Sequence, residues 1–421
     1  MNEEKSLIDY CHVDKNDDGD RFVGLKSIDD NGHQVVMVYF PCGYNLPSDE
    51  IGIRNDIINL FRILADFSKG EDILLKVKSN VANVSVNFPI KAYLDIIQYY
   101  LDYGTFYAET ETTFKTDTRG KTDWPKTIKN QVPSIQNGNF VYINKTVRDS
   151  QPMKNQLITE IHRYCTHESF YKLGWLFGTS MIPRNTDIVP KNTDDKSFIS
   201  RFISIINDQL KKTFEDRIKK LLTAMLSVLN YKNTEDNSNR YYFGTDRFEY
   251  VWQGMIDRLF GIRENKQDYF PRTKWVPRFL KDKNKNKHPL EPDSIMIYKD
   301  KFYVLDAKYY RYGLSGDVDH LPNASDINKQ ITYGEYIYSY KNKDPYNAFI
   351  MPFNRKDNPF SISEDMCNVA EASTNWKTDG HKFEKIQGIL VDTRFLMYQY
   401  ASNNNEKYKE KLSLAIESTN D

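Results

Sequence analysis

Two aspartates and a lysine on a predicted hairpin are the residues whose types and spacing are best suited to chemistry. The runs SIMIY and FYVLDA favour β-strands and are separated by a short polar segment, which predicts an antiparallel pair. If the turn consists of Lys299-Asp300 alone, Asp293 faces Asp306 across the hairpin. Lys308 then shares that side of the sheet, because strand side chains alternate with a period of two. A three-residue turn would destroy this register, so the prediction depends on the turn.

Facing carboxylates beside an ammonium group suit the metal-assisted hydrolysis of a phosphodiester. Two carboxylates one strand spacing apart can hold Mg²⁺, with Mn²⁺ as a substitute, and the ion lowers the pKa of a bound water. Lys308 could orient that water and stabilise developing negative charge. Apolar neighbours such as Ile295 and Val304 predict buried strands, where uncompensated charges would be costly. The alternative is that these polar residues belong to strand ends and a surface ion pair.

Two upstream segments could supply a third acid and a DNA-binding surface. The run RFEYVWQGMIDRLFG predicts a helix on which Glu249 could reach the same cleft, although a solvated helix residue is the simpler alternative. The next segment, PRTKWVPRFLKDKNKNKHP, contains Lys281, Lys283, Lys285 and Lys287. A basic loop beside an acidic metal site is what a phosphate backbone requires. An ordinary solvated lysine-rich loop is the competing interpretation.

Composition and charge restrict the classes of protein to consider. The 421 residues predict two or three domains, and a hydrophobic content of 39% is ample for buried cores. Basic and acidic residues number 58 each, so any nucleic-acid surface must be local. Four scattered cysteines predict neither a zinc site nor a disulfide framework. With an acidic start and no apolar run of membrane-spanning length, we expect a soluble cytoplasmic protein without membrane contact.

The elements around the hairpin predict a mixed α/β fold. Residues 1–50 alternate short apolar runs with turn residues, which indicates strands. Helices are predicted over residues 55–68, from Pro89 to Gly104 and over residues 155–182. Apolar positions keep helical spacing over residues 199–230, which predicts one long amphipathic helix.

Segments along most of the chain carry a resemblance to a nuclease family. The helix glutamate, the PD…DAK hairpin and a following helix with glutamine and tyrosine resemble the PD-(D/E)xK nuclease superfamily. More closely, the chain resembles the McrC-type nuclease subunits of the LlaJI restriction systems. The segments that carry this closer resemblance are FPIKAYLDIIQYYLDYGTFYAE, GKTDWPKTIK, RFEYVWQGM and PDSIMIYKDKFYVLDAKYYR.

The resemblance implies roles for individual residues. Related nucleases carry Gln-x-x-x-Tyr on the next helix, whereas Gln330 and Tyr333 are one residue closer here, which leaves their accessory role open. The implied catalytic residues are Asp293 and Asp306 as the metal-binding acids, Lys308 as the catalytic lysine, and Glu249 as the helix acid.

The resemblance also implies a partner, a separate McrB-like AAA+ GTPase subunit that recognises double-stranded DNA and translocates along it. The sequence agrees that any motor lies elsewhere. The run RGKT ends like a phosphate-binding loop, but Lys115 stands where the first glycine should be.

Residues of the GKTDWPKTIK run are predicted to contact this partner. A strand followed by a long exposed loop is predicted over residues 105–133, and a loop of that length is usually functional or disordered. Lys121, Trp124 and Lys126 lie on it, with Trp124 as an interface anchor. The competing interpretation is that Trp124 packs onto its own domain.

The sequence thus predicts a protein in two parts. Residues 1–195 would form a mixed α/β region that engages the motor. Residues 198–421 would form a PD-(D/E)xK nuclease domain with a central mixed sheet flanked by helices, introduced by the helix over residues 199–230. Two other functions stay open: a non-catalytic activator that only clamps DNA or the GTPase, and a stand-alone sequence-specific type II endonuclease.

Overall fold

The computed structural model divides the chain into two compact units. The residues that it describes are 6–13, 22–30, 33–68, 88–108, 110–152, 157–177, 183, 196–234, 242–273, 289–403 and 405–418. The split unit comprises Met1–Phe88 with Arg240–Asp421, and the inserted unit comprises Pro89–Asn239. Among the described helices, none is long and apolar enough to cross a membrane.

The described chain contains both helices and strands in each of its units, which confirms the predicted mixed α/β class. The helices are α1 (Glu50–Ser68), α2 (Ile90–Tyr103), α3 (Trp124–Asn130), α4 (Leu157–Leu173), α5 (Lys196–Lys212), α6 (Asp216–Thr234), α7 (Phe248–Phe260), α8 (Tyr312–Ser315), α9 (Ala324–Lys341), α10 (Thr393–Gln399) and α11 (Asn405–Glu417). The strands are β1 (Cys11–Val13), β2 (Val23–Asp30), β3 (His33–Phe40), β4 (Thr110–Asp117), β5 (Lys121–Thr122), β6 (Ser134–Gln136), β7 (Asn139–Val141), β8 (Lys145–Pro152), β9 (Tyr242–Thr245), β10 (Ser294–Tyr298), β11 (Lys301–Ala307), β12 (Tyr346–Phe353), β13 (Met366–Ala372) and β14 (Ile386–Asp392).

The split unit contains a five-stranded mixed sheet in the order β10-β11-β12-β14-β13. Strand β12 runs parallel to both of its neighbours, while β10 and β13 are antiparallel edge strands. Helix α9 packs on the β10–β11 pair, where Tyr333 and Ile337 join Ile295 and Val304 in one buried cluster. The continuous apolar runs in β12 and β14 reflect this burial, because parallel strands are covered on both faces.

The division into units differs from the boundary predicted at residues 195–198. Strand β9 follows the inserted unit along the chain, yet it pairs with β2, so that Val23 lies opposite Thr245. The first strands and the residues after the insertion therefore share one sheet, in the order β1-β3-β2-β9. Such pairing between distant segments leaves no local pattern in the sequence. The functional roles assigned to the two parts stay predictions.

The single long helix predicted over residues 199–230 is wrong, because α5 and α6 are separated by Thr213–Glu215. Phe214, which helical spacing assigns to the apolar face, is 86% exposed. Thr213 Oγ1 donates to Gln209 O at 2.8 Å in the last turn of α5. The helical spacing of apolar residues continues through the break because α5 and α6 pack together, and each of them buries the apolar residues along one face. Both helices belong to the inserted unit.

The exposed loop predicted after a strand within residues 105–133 is also wrong. Strand β4 pairs with β8, which also pairs with β5, and helix α3 follows directly. The Asp123 side chain caps α3 by accepting from Lys126 N at 3.1 Å, and Pro125 lies in its first turn. An aspartate cap followed by a proline is a helix-start signal that the polar composition of this stretch hides.

A buried carboxylate ties helix α1 to helix α10 in the split unit. Asp56 is fully buried and accepts hydrogen bonds from Arg394 Nε at 2.8 Å and Arg394 Nη2 at 3.1 Å. The Tyr398 hydroxyl donates to the same carboxylate. A buried ion costs several kcal/mol to desolvate, so its partners must be kept.

We expect Arg394→Met to destabilise the split unit by about 3 kcal/mol, because it leaves the Asp56 charge buried without its cation. Chemical denaturation followed by circular dichroism measures the loss. The matched control is Lys343→Met, which breaks an exposed ion pair with Asp300 and should cost under about 1 kcal/mol. Equal losses in the two variants would contradict a structural role for the buried pair.

Candidate active site

The hairpin has the register that the sequence predicts. Tyr298 lies opposite Lys301, and Ser294 lies opposite Leu305 at the other end of the pair. The turn residues Lys299 and Asp300 have φ angles of 45° and 62°. Positive φ at both central residues is the geometry of a two-residue hairpin turn whose twist matches that of the strands. The register brings Asp293, one residue before β10, next to Asp306.

The two acids form a close and largely enclosed pair. The Asp293 carboxylate accepts from Gln253 Nε2 at 2.6 Å and from Ala307 N at 2.9 Å. Asp306 is buried, with 3% of its surface exposed. Burial, together with the neighbouring Asp306 carboxylate, raises the pKa of Asp293 to about 8. Such a pair favours either a bound proton or a cation.

Carboxylate oxygens are the ligands that Mg²⁺ prefers, so the chemistry of the acid pair fits this ion. Among the described residues, no group of three or more histidine, cysteine, aspartate or glutamate side chains could hold a metal. The pair would therefore supply two carboxylates, and Mg²⁺ commonly binds through one or two carboxylates, retaining several waters.

Lys308 lies between two carboxylates. Its Nζ is 2.8 Å from Asp306 Oδ2 and 2.8 Å from Asp326 Oδ1. Burial alone would lower the pKa of Lys308, but the two acids outweigh burial and raise it. The lysine is therefore a cation at neutral pH, suited to stabilising negative charge rather than to accepting a proton.

Sequence reasoning missed Asp326. It is the third residue of α9 and completes a capping box with Asn323, whose backbone N–H it accepts at 3.3 Å. That pattern is visible in the sequence as Asn-x-x-Asp, but it signals only a helix start. The contact with Lys308 depends on how α9 packs on the sheet, which no local pattern records.

Helix α7 carries two polar residues near the acid pair, and their side chains lie in different places. Gln253, which sequence reasoning also missed, bonds to Asp293. Glu249, one turn earlier, lines a cavity of about 580 Å³ together with Lys308 and Tyr310. Its role as the helix acid stays a prediction.

The predicted accessory residues Gln330 and Tyr333 lie beneath the hairpin. Gln330 is buried, and its Nε2 donates to Val304 O at 2.7 Å, which ties α9 to β11. The Tyr333 hydroxyl donates to Glu291 O at 3.1 Å. Burial raises the pKa of Tyr333, and the charges of Asp306 and Asp293 raise it further. Gln330 thus supports the strand backbone, and an accessory catalytic role for either residue stays a prediction.

The structure describes the residues predicted to bind the partner but not the lysines predicted to bind DNA. Lys281, Lys283, Lys285 and Lys287 lie outside the described residues. Trp124 opens helix α3 with 52% of its surface exposed, and its ring meets the edge of Tyr142 at 6.4 Å between centroids. It is therefore not a core residue. Lys121 is exposed, and Lys126 Nζ lies 2.9 Å from the centroid of the Phe114 ring.

Comparison with known proteins places the chain in a nuclease class. The family described as LlaJI restriction endonuclease matches residues 22–369, more than half of the chain. The protein is therefore related to enzymes that restrict DNA by cutting it. It belongs to the LlaJI restriction endonuclease family, which confirms the resemblance to LlaJI restriction systems found in the sequence.

Similar proteins include a Bacillus restriction enzyme component and a solved assembly of McrB with McrC. The chain is 25% identical over 358 residues to "Type II restriction enzyme BsuMI component YdjA" of Bacillus subtilis (strain 168), covering 82% of this chain and 75% of that protein. A solved structure described as a half-complex of Thermococcus gammatolerans McrB AAA+ hexamers with bound McrC matches at 11% identity. That match covers 94% of this chain and 82% of the other, with a TM-score of 0.38, which is too low to indicate a shared fold.

The dependence of the site on hairpin register is testable at the turn. Replacing Lys299-Asp300 with Asn-Gly should keep the register and stabilise the protein by about 1 kcal/mol, because both residues prefer positive φ. Inserting one glycine between Lys299 and Asp300 should shift Asp293 relative to Asp306 and abolish Mg²⁺ binding in isothermal titration. Wild-type Mg²⁺ affinity in the insertion variant would show that the acid pair does not form the metal site.

Proposed function

We propose that this chain is the DNA-cleaving subunit of a restriction complex, with a Mg²⁺-dependent PD-(D/E)xK site. The observation that carries the proposal is the meeting of Asp293, Asp306 and Lys308 at one end of the hairpin, in a member of a restriction endonuclease family. Double-stranded DNA is the substrate, and hydrolysis of its phosphodiester bonds is the reaction.

Each site residue has a role that follows from its chemistry. Asp293 and Asp306 would hold Mg²⁺, or Mn²⁺ as a substitute, and the ion would supply Lewis-acid chemistry there. Lys308 stays protonated between its two carboxylates and directs positive charge to the oxygens that become negative during hydrolysis. Glu249 is proposed as a further acid from the wall of the adjacent cavity.

A basic segment is proposed to bind the substrate. Lys281, Lys283, Lys285 and Lys287 carry positive charge immediately before the acid pair in the chain, and they are proposed to contact the phosphate backbone. An acidic site repels DNA, so a nearby source of positive charge is needed.

The division of roles predicts different defects in two variants. Asp306→Ala should abolish cleavage of plasmid DNA and weaken Mg²⁺ binding, because a metal ligand is removed. Lys308→Ala should cleave at least about 100-fold more slowly, since removal of one stabilising donor has an effect of that size. It should still bind Mg²⁺ in isothermal titration, because an ammonium group is not a ligand.

Asp300→Asn, which removes a carboxylate at the exposed turn of the same hairpin but tolerates its positive φ, serves as the control and should cleave like the wild type. Normal cleavage by a complex that contains Asp306→Ala would show that catalysis does not need this acid pair, as expected if the chain is a non-catalytic clamp. Cleavage by the isolated wild-type chain without nucleotide would instead favour a stand-alone type II endonuclease.

We propose further that the inserted unit binds a separate McrB-like AAA+ GTPase. Monomeric proteins rarely expose large apolar surfaces, and such surfaces mark sites of interaction. In the β6–β7 hairpin, Ile135 lies opposite Phe140, and they are 73% and 70% exposed. The Bacillus relative is named as a component of a restriction enzyme, which also supports a multi-subunit assembly. The proposed docking surface is defined by the exposed apolar residues from β4 to β8 along the chain, which are Phe114, Trp124, Ile128, Val132, Ile135, Phe140, Val141 and Ile143.

Trp124→Ala tests the docking surface. Because Trp124 is half-exposed, its loss should leave the melting temperature nearly unchanged, unlike the cost of about 3–5 kcal/mol for a core tryptophan. As an interface anchor, its loss should weaken association with the GTPase by about 2 kcal/mol, roughly 30-fold, and reduce stimulated GTP hydrolysis. Trp376→Ala is the matched control, since Trp376 is 63% exposed in the split unit. A clear drop in melting temperature with normal association would exclude Trp124 from the interface.

A further inference from the structure

The side chain of Gln253 holds one of the two acids in place. Its Nε2 donates to Asp293 Oδ1 at 2.6 Å, while Ala307 N donates to Asp293 Oδ2 at 2.9 Å. Each carboxylate oxygen therefore has a donor of its own. One donor belongs to strand β11 and the other to helix α7, so rotation of the carboxylate would break at least one bond.

The neighbours of Gln253 fix helix α7 against the rest of the split unit. Trp252 Nε1 donates to Ile350 O at 3.2 Å, and the same carbonyl accepts Lys308 N at 2.9 Å. At Gly254, a Cβ atom would collide with the ring of Phe67 in α1, so glycine is needed for the helices to approach. Gln253 therefore lies between two tightly packed residues, and its amide is held at a defined place.

We propose that Gln253 is a positioning residue of the metal site, orienting the Asp293 carboxylate so that Asp293 and Asp306 bind one divalent cation together. The inference rests on the proposed function, because it needs the acid pair to hold the ion. A neutral amide suits this role, since it donates a hydrogen bond without cancelling the charge that attracts the cation. Residues that orient metal ligands typically contribute 10- to 100-fold to metal affinity.

The test compares Mg²⁺ binding by isothermal titration in five proteins, namely the wild type, Asp306→Ala and three glutamine variants. Gln253→Met keeps the length of the side chain but lacks the donor, and Gln253→Leu is a second donor-free variant in case the first folds poorly. Both should bind Mg²⁺ about 10- to 100-fold more weakly than the wild type. Gln267→Met, an exposed glutamine in the same unit, is the matched control and should bind like the wild type. Melting curves without divalent cation check that each variant is folded.

The outcomes separate this inference from the function on which it rests. Wild-type Mg²⁺ affinity in either folded donor-free variant, with binding lost in Asp306→Ala, would overturn the role of Gln253 and leave the acid pair as the metal site. Unchanged binding in Asp306→Ala as well would overturn both proposals. In reconstituted cleavage assays, raising the Mg²⁺ concentration should restore the rate of Gln253→Met, which a general loss of structure would not allow.

Discussion

Two carboxylates are held together at the open end of the β10–β11 hairpin, and their mutual repulsion is the constraint that the surrounding residues must satisfy. Burial and the nearby Asp306 raise the pKa of Asp293 to about 8. Hydrogen-bond donors and a cation offset this repulsion, since the two carboxylates are not held far apart. Lys308 approaches Asp306, while the Ala307 backbone and the Gln253 amide each donate to Asp293. The arrangement leaves both carboxyl groups positioned to share one cation.

The donors that hold the acids are themselves fixed by the sheet and by helix α7. The Ile350 carbonyl on β12 accepts hydrogen bonds from Trp252 of α7 and from the backbone of Lys308. The helix and the end of β11 are thus tied to one atom of the neighbouring strand. The backbone N–H of Cys42 donates to the Tyr309 hydroxyl oxygen at 2.6 Å, which extends the support to the segment after β3. Residues far apart in sequence therefore share the task of holding a small site.

The sequence was informative where structure depends on neighbouring residues and failed where it depends on distant ones. The two-residue turn and the period of two were enough to predict the register that pairs the acids, and Gly104, with φ of 65°, ends α2 as predicted. The break at Phe214 was missed because two packed helices repeat one apolar pattern. Asp326 and Gln253 were missed because their contacts arise from helices packed on the sheet.

The position of the inserted unit has a consequence for the order in which the chain becomes functional during synthesis. Strand β2 emerges from the ribosome long before β9, and Asp56 emerges long before Arg394. Contacts between such distant residues form late, because the intervening chain must first be made and the loop closed. An incomplete chain can therefore finish the inserted unit while the split unit still lacks strands and the partner of a buried charge. A chain terminated before β14 would lack both a strand of the five-stranded sheet and the cation that pairs with Asp56.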